Sequence, residues 1–518
     1  MGSIDNRKHI IVHAIPVAWG HNKPLCAFVV NVLEAQPNAI VTYLTSSDAY
    51  GKLVAEFGRL DPARYAALEP RLQIKYSQDF ANSTSLSIID IAGPSVETFE
   101  PINAFEPSFE ALYSSSSITC LSSKRTISGL PAPTLAIIDP FAGYAFEFIR
   151  KIAGQTFTIF AWWTSNAGAL LRLLGPAHLG GVVEPSLETV GGRMATKKRI
   201  FAKEKIKWHD CIGTVVNVAG LKPSYDYEWF PQKSAMTDLA AVAEKLGSIY
   251  IREADGVVCV STNAYEPEAA AAAKEWFVSM GKAWYTVGPL SIFAPSVKSS
   301  KPAAPVLLVL AIAVTESPHQ ISFGTVWWPE EDDRVWAVID GLLEKRQPFL
   351  FSHPSPFVRL PNEVKEKIAA SGIAMELSWS PQEMILTHPV TGWFLTHGGW
   401  NSVQEAFAFR VPMIFWPFHA DQPYNAMRLM TLKAGFELIE VRTGTIGARI
   451  PYDCEQLPAF TPNSAKAEVM SLIGKLNGKE GVEVRQNFET VAEGVCKAWE
   501  NPSGESRLNT KAMLDQYL

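Results

Sequence analysis

Residues 379–422 read WSPQEMILTHPVTGWFLTHGGWNSVQEAFAFRVPMIFWPFHADQ, and the order of residue types within them decides the fold. Gly392–Leu395 is an apolar run of strand length, and Thr396-His397-Gly398-Gly399 is a glycine-rich turn. Asn401 to Phe409 then has helical spacing, with Asn401 or Ser402 near its cap, and Met413–Trp416 is a further apolar strand. Strand, turn, helix and strand in that order form the unit of a parallel sheet with crossover helices. Where a glycine turn feeds a helix, unpaired backbone N–H groups and the positive end of the helix dipole favour an anion. His397 adds a side-chain donor beside that turn. Glu405, in the first turns of the helix, is suited to accept from two ribose hydroxyls.

The same alternation extends outward. Upstream, strand candidates are His9–Pro16, Ala39–Thr45, Thr134–Asp139, Phe157–Trp163 and Gly256–Ser261, with helical spacing over Leu25–Ala35 and Phe146–Ala153. A second series starts at Gln320–Gly324 and runs through Phe349–Ser352, Ala374–Leu377 and the quoted stretch. Between the series lies VGPLSIFAPSVKSSKPAAP, residues 287–305, a linker composition rich in Pro, Ser and Lys. The fold class is therefore α/β, with two doubly wound domains facing across a cleft where ligands bind at the strand ends.

Taken alone, an H-G-G turn or one tryptophan is ordinary α/β packing. Together, the W-x-P-Q start, the H-x-G-W-N-S-x-x-E centre and the D-Q end closely resemble the nucleotide-sugar signature of family 1 UDP-glycosyltransferases, best known from plant enzymes of secondary metabolism. The resemblance extends to the first strand and its loop, the Asp139 region, Trp163-Thr164 and ISFGTVWWP at residues 321–329, and the loops look more fungal than plant. It implies a GT-B arrangement: an acceptor-binding Rossmann-like domain over 1–290, a linker over 291–312, a UDP-sugar-binding domain over 313–495, and a C-terminal helix in 496–518 packing back on the first domain. It also implies that Trp379 stacks on uracil while the Ser380 backbone and Gln382 hold the base. Glu405 would hold the ribose, and His397, Asn401 and Ser402 the diphosphate, with Thr325 assisting from the facing loop. Asp421 and Gln422 would grip the sugar, with Trp400 nearby. A terminal Gln is associated with glucose, so UDP-glucose is the implied donor substrate.

Transfer to an alcohol needs a base. The loop after the first strand reads VAWGHNKPL, and His21 there precedes a helix expected to start near Lys23 or Pro24. A helix N-terminus disfavours imidazolium, and an ordinary histidine pKa of about 6.5 suits a base near neutrality. Asp139 ends the strand TLAIID, where a carboxylate faces the ligand crevice and can orient His21; as Asp before Pro it is equally a helix cap. The family's His–Asp dyad favours the catalytic reading. Trp163 and Thr164 align with a pair bordering sugar and acceptor. Trp19, Phe141, Trp162 and the Trp229-Phe230 region are further apolar candidates for the acceptor pocket, whereas His9 and His13 are structural. The implied reaction is inverting transfer of glucose to a hydroxyl of a phenol, terpenoid, sterol or lipid.

Composition narrows the alternatives. The chain has 518 residues, 47% hydrophobic and 19% charged, with a net charge of -6. That provides ample core and no basic surface for nucleic acid. The six cysteines form no C-x-x-C pair, the N-terminus reads as a strand rather than a signal peptide, and no apolar run reaches membrane-spanning length. A cytoplasmic monomer is expected. There is no D-x-D pair to hold a metal, and no G-x-G-x-x-G after the first strand, which argues against a dehydrogenase. The surviving alternative is a non-catalytic UDP-sugar binder. Two positions depart from the family: Arg410 stands where glycine is usual, so that helix is expected to close differently, and Pro305–Val314 is apolar where relatives are polar.

Overall fold

The computed structural model describes residues 7–16, 18–60, 64, 67–68, 85–93, 100–181, 211–233, 251–290, 319–500 and 502–518. Residues 291–312, expected as linker, and the apolar Pro305–Val314 segment lie outside them.

Seven strands form the first sheet: β1 (Lys8–His13), β2 (Ala39–Thr45), β3 (Leu86–Asp90), β4 (Pro133–Ile138), β5 (Thr158–Trp163), β6 (Gly256–Cys259) and β7 (Ala283–Thr286). Their order is β7-β6-β5-β4-β1-β2-β3 and every pair is parallel. Six more form the second: β8 (His319–Ser322), β9 (Phe349–Ser352), β10 (Ala374–Leu377), β11 (Trp393–Thr396), β12 (Met413–Phe415) and β13 (Gly435–Glu437), all parallel, ordered β10-β9-β8-β11-β12-β13. Both sheets reverse direction beside their first strand. The reversal opens a crevice between β1 and β4 in one sheet and between β8 and β11 in the other.

The central strands are buried on both faces because helices cover both sides. β1 and β4 bury Ile10, Ile11, Val12, Leu135, Ile137 and Ile138, and Phe349, Phe351, Phe394 and Leu395 do the same in the second sheet. Polar residues within β1 find partners. His9 bonds the Pro131 carbonyl and Thr42 Oγ1, and His13 bonds the Leu44 carbonyl and Tyr144 Oη. Burial lowers both imidazoles to about 4, so they are neutral structural groups.

The helices that frame the crevices are α1 (Trp19–Ala35), α2 (Ser47–Phe57), α3 (Ala167–Leu174), α4 (Gln382–Thr387), α5 (Trp400–Phe409), α6 (Gln422–Thr431) and α7 (Glu505–Tyr517). α7 returns to the first sheet. Thr286 Oγ1 donates to Glu505, Asn509 Nδ2 donates to the Thr286 carbonyl, and the Tyr517 ring meets Phe160 edge-on at 4.9 Å. Residues 211–233, in turn, dock on the second half. Arg442 bridges Glu437 and Glu228, Lys233 N–H donates to Thr443 Oγ1, and the Tyr227 hydroxyl reaches the Ile450 carbonyl.

Two sequence expectations are corrected. α1 begins at Trp19, one turn earlier than Lys23 or Pro24, so His21 lies inside the first turn. Pro24 is tolerated there because the helical bond it deletes would end on the Gly20 carbonyl, and Asn401 Nδ2 from the other half donates to that oxygen at 2.7 Å. Arg410 does not close its helix differently. It adopts the left-handed conformation itself (φ 60, ψ 36), and Val411 N–H donates to the Ala406 carbonyl as in a glycine-terminated helix.

Candidate active site

Loops at the strand ends bring the two crevices together. His21 follows β1, and Asp139 follows β4, its strand neighbour. Asp139 is fully buried, and its Oδ2 lies 2.5 Å from His21 Nδ1. Its Oδ1 accepts from Phe141 N–H at 2.8 Å, capping the short 3-10 turn Pro140–Ala142. The two readings of Asp139, cap and partner, therefore coexist, one on each oxygen. His21 keeps 22% of its side chain exposed. With Nδ1 committed to the carboxylate, Nε2 is the nitrogen left to accept a proton. Burial works to lower the pKa of His21, but the Asp139 carboxylate outweighs it and the net shift is upward. The Phe141 ring packs against the imidazole with centroids 4.9 Å apart.

Other aromatic candidates separate. Trp19 opens α1 and is partly exposed, and Thr164, following β5, is likewise half-buried. Trp163 is buried with its indole N–H tied to the Asn166 carbonyl. Trp162 does not line a pocket: it is fully buried and its indole N–H donates to the His21 carbonyl at 3.2 Å. It thus fixes the backbone of His21. Trp229 is also core, bonded to Ser224 under the Arg172 guanidinium. Phe230 is partly exposed and meets His419 edge-on at 4.7 Å.

The second crevice holds the residues of the 379–422 stretch. Trp379 is 68% exposed, an open platform at the rim, and Ser380 beside it is half-buried. Thr325 is exposed in the turn after β8, where Gly324 takes φ 73. Gly324 and Gly399 give the His397 ring its space: a Cβ on either would come within 2.9 Å or 2.5 Å of the imidazole. Burial lowers the His397 pKa to about 4, against a weaker upward pull from a hydrogen bond to the Ser322 backbone. His397 is therefore a neutral imidazole that can present an N–H.

Gln382 Nε2 donates to Glu405 Oε2 at 2.8 Å and to Ser402 Oγ at 3.3 Å, knitting three candidate residues into one wall. Asp421 Oδ2 accepts the Trp400 N–H at 2.8 Å, at the start of α5. Burial raises the Asp421 pKa, opposed first by that backbone bond and more weakly by the charge of His21. Gln422 is buried, and its Oε1 accepts from Phe418 N–H and His419 N–H, which orients the amide. The Trp400 indole turns toward the first half. It is buried, packs on Tyr265 at 4.9 Å, and donates to the Val260 carbonyl of the first half.

Sequence reasoning missed the polar bridges between the halves. Lys23 Nζ reaches Glu405 Oε1 at 2.7 Å and also Glu383, which Arg59 binds as well. Asn166 caps α3 through Ala169 N–H and donates to Asn425 Oδ1, while Asn425 Nδ2 donates to the Gly398 carbonyl. No single-sequence signal marks such pairs, since each partner lies hundreds of residues from the other. Among the described residues, no group of three or more His, Cys, Asp or Glu is arranged to hold a metal ion, and no helix is long and apolar enough to cross a membrane.

Comparison with known proteins gives this geometry its context. Residues 318–446 match the family model described as "UDP-glucoronosyl and UDP-glucosyl transferase". A UDP-glycosyltransferase of Hericium erinaceus, eriJ, is 27% identical over 539 aligned residues, covering 99% of this chain and 99% of its own. An anthocyanidin 3-O-glucosyltransferase of Zea mays is 34% identical over 182 residues, 34% of this chain and 38% of its own. Among solved structures, Medicago truncatula UGT71G1 complexed with UDP-glucose aligns with TM-score 0.66 at 19% identity, over 100% of both chains. Phytolacca americana UGT2 complexed with UDP-2fluoro-glucose and pterostilbene aligns with TM-score 0.64 at 18% identity, over 99% of both. These structural likenesses establish the fold as GT-B.

Proposed function

Because the chain belongs to the family 1 UDP-glycosyltransferases, we propose that it moves glucose from UDP-glucose to a hydroxyl of a small lipophilic acceptor, with inversion to a β-glucoside. The observation that carries this reading is the His21–Asp139 pair at 2.5 Å, on the crevice that faces the donor-side residues. His21 Nε2 takes the acceptor proton, and Asp139 holds the ring in the required tautomer and balances the imidazolium that forms. The acceptor oxygen bonds to the anomeric carbon as the bond to the β-phosphate oxygen breaks. UDP leaves toward the turn and helix start at 398–402, where backbone N–H groups, the α5 dipole and the His397 N–H meet the developing charge.

On the donor side, Trp379 is the stacking platform for uracil, with the Ser380 backbone and Gln382 beside it. Glu405 holds the ribose, and Asn401, Ser402 and Thr325 serve the diphosphate. Asp421 and Gln422 bind the sugar, and Gln422 favours glucose. Trp19, Phe141 and Thr164 border the acceptor next to His21. The names of the maize relative and of the pterostilbene complex support an aromatic acceptor. The protein works as a cytoplasmic monomer, and no D-x-D pair calls for a metal.

The test is a panel of phenols, terpenoids, sterols and lipid alcohols offered with UDP-glucose, read by mass spectrometry for one added hexose and by UDP release. Tight UDP binding without transfer to any of them would mark a non-catalytic binder instead.

A further inference from the structure

α1 enters the donor side at three successive points. The Gly20 carbonyl takes Asn401, His21 is the proposed base, and Lys23 reaches Glu405. The third contact has no role in the transfer just described, and it is the most deeply buried. Lys23 is 8% exposed and Glu405 5%. Around them stand Glu383 on α4, and Glu56 and Arg59 on and after α2, so two cations face three carboxylates; Lys23 and the carboxylates are largely buried and Arg59 closes the outer, exposed side. Burial alone would raise the pKa of Glu383, and Lys23 and Arg59 hold it below its ordinary value instead. A buried carboxylate stripped of its cation protonates or swings away, because an unpaired buried charge is costly.

The bond geometry shows what the pair leaves open. Lys23 occupies one acceptor direction on Glu405 Oε1, and Gln382 occupies one on Oε2. An ionised carboxylate oxygen has two such directions. One therefore remains on each oxygen, which matches two vicinal hydroxyls donating together.

We propose that Lys23, a residue of the acceptor-side half, is a positioning residue of the nucleotide site, holding the Glu405 carboxylate aimed so that it can accept the 2′- and 3′-hydroxyls of the UDP ribose. The nucleotide site is then complete only when the two halves are closed on each other, and the helix carrying the base is the one that completes it. This rests on the ribose role proposed for Glu405.

The test compares binding of UDP and of 2′,3′-dideoxy-UDP by isothermal titration to wild type, Lys23→Met, Glu405→Gln and the double variant, with thermal unfolding as a check on folding. Wild type should prefer UDP by roughly 10- to 100-fold, the scale of hydrogen bonds to a buried charge. In Lys23→Met that preference should collapse to within about 3-fold, UDP weakening while dideoxy-UDP barely changes. The double variant should lose no more than either single one, because both act on the same contact. KM for UDP-glucose should rise more than kcat falls. If Lys23→Met weakens both nucleotides equally, or keeps the full preference, the proposal is wrong. If wild type does not distinguish the two nucleotides, the ribose role of Glu405 fails first and takes the proposal with it. Glu405→Gln removes the charge without emptying space, so it decides the matter should Lys23→Met not fold: a retained preference there overturns the proposal.

Discussion

Replacing Asp139 by asparagine changes one atom and should nearly abolish turnover. Asp139 Oδ1 accepts the Phe141 N–H at 2.8 Å, and Oδ2 faces His21 Nδ1 at 2.5 Å in a fully buried position. Asparagine keeps its oxygen on the backbone donor, which turns its NH2 toward His21. Nδ1 must then accept, the ring proton moves to Nε2, and the nitrogen facing the acceptor can no longer take a proton. A wrong-tautomer substitution of this kind costs about 10³–10⁴-fold in kcat, or ~4–5.5 kcal/mol. The pH dependence has a defined sign. In wild type, activity falls as pH drops through a His21 pKa held above 6.5 by Asp139. Without that carboxylate the lowering effect of burial, the largest single influence, is opposed only by the weaker pull of Asp421, so the residual activity of the variant should persist to lower pH. Initial rates of UDP release across pH give both quantities, and calorimetry should find UDP affinity changed by less than about 3-fold. A loss below about 10-fold, or a limb displaced to higher pH, would refute the dyad.

Three further predictions concern the frame and the rim of the cleft. Asn401→Ala removes the donor from the Gly20 carbonyl and should cost about 0.5–1.5 kcal/mol; Pro24→Ala supplies that carbonyl with a helical N–H, so in urea denaturation the double variant should recover most of the loss, and simple additivity would contradict the account. Trp379→Ala should weaken UDP roughly 5- to 100-fold, the range for a lost base stack, while its unfolding midpoint stays put because the ring is 68% exposed; a destabilised variant with normal affinity would make Trp379 a packing residue. Arg410→Gly should stabilise the fold by up to about 1 kcal/mol, since it relieves φ 60, removes a buried guanidinium nitrogen without a hydrogen-bond partner, and gives up the 3.6 Å pair with Glu489 and a weak attraction to the exposed Glu493. A lower melting temperature would show that the guanidinium contributes more than the strain costs.

The central strands were legible because their sequences are continuous apolar runs between turn signals, as in Ala39–Thr45 and Phe349–Ser352, which the structure reproduces residue for residue. Of the strands in the two large sheets, the three that were missed, Leu86–Asp90, Ala283–Thr286 and Gly435–Glu437, all lie at sheet edges. An edge strand is paired on one side only, is short, and so carries a weak apolar pattern. The start of α1 was misread because Pro24 looks like a first-turn proline; its tolerance deeper in the helix depends on Asn401, a contact that exists only after the halves meet. All the donor-side residues but Thr325 could be named from one continuous stretch. Trp162, Trp229 and the Trp400 indole could not be told from pocket residues by type, since aromatic side chains serve core and cleft alike. Lys23 was invisible for the opposite reason: a lysine in an amphipathic helix normally reads as solvated, and only the folded chain puts two carboxylates around it.

The central claim is that His21 acts as the base for sugar transfer from a UDP donor. Measuring UDP affinity and turnover in parallel for His21→Ala tests it most directly, with any acceptor found in the panel. UDP should bind within about 3-fold of wild type, while kcat falls by at least about 10³-fold, the combined scale of a lost general base and its oriented partner. Full turnover in that variant would contradict the account.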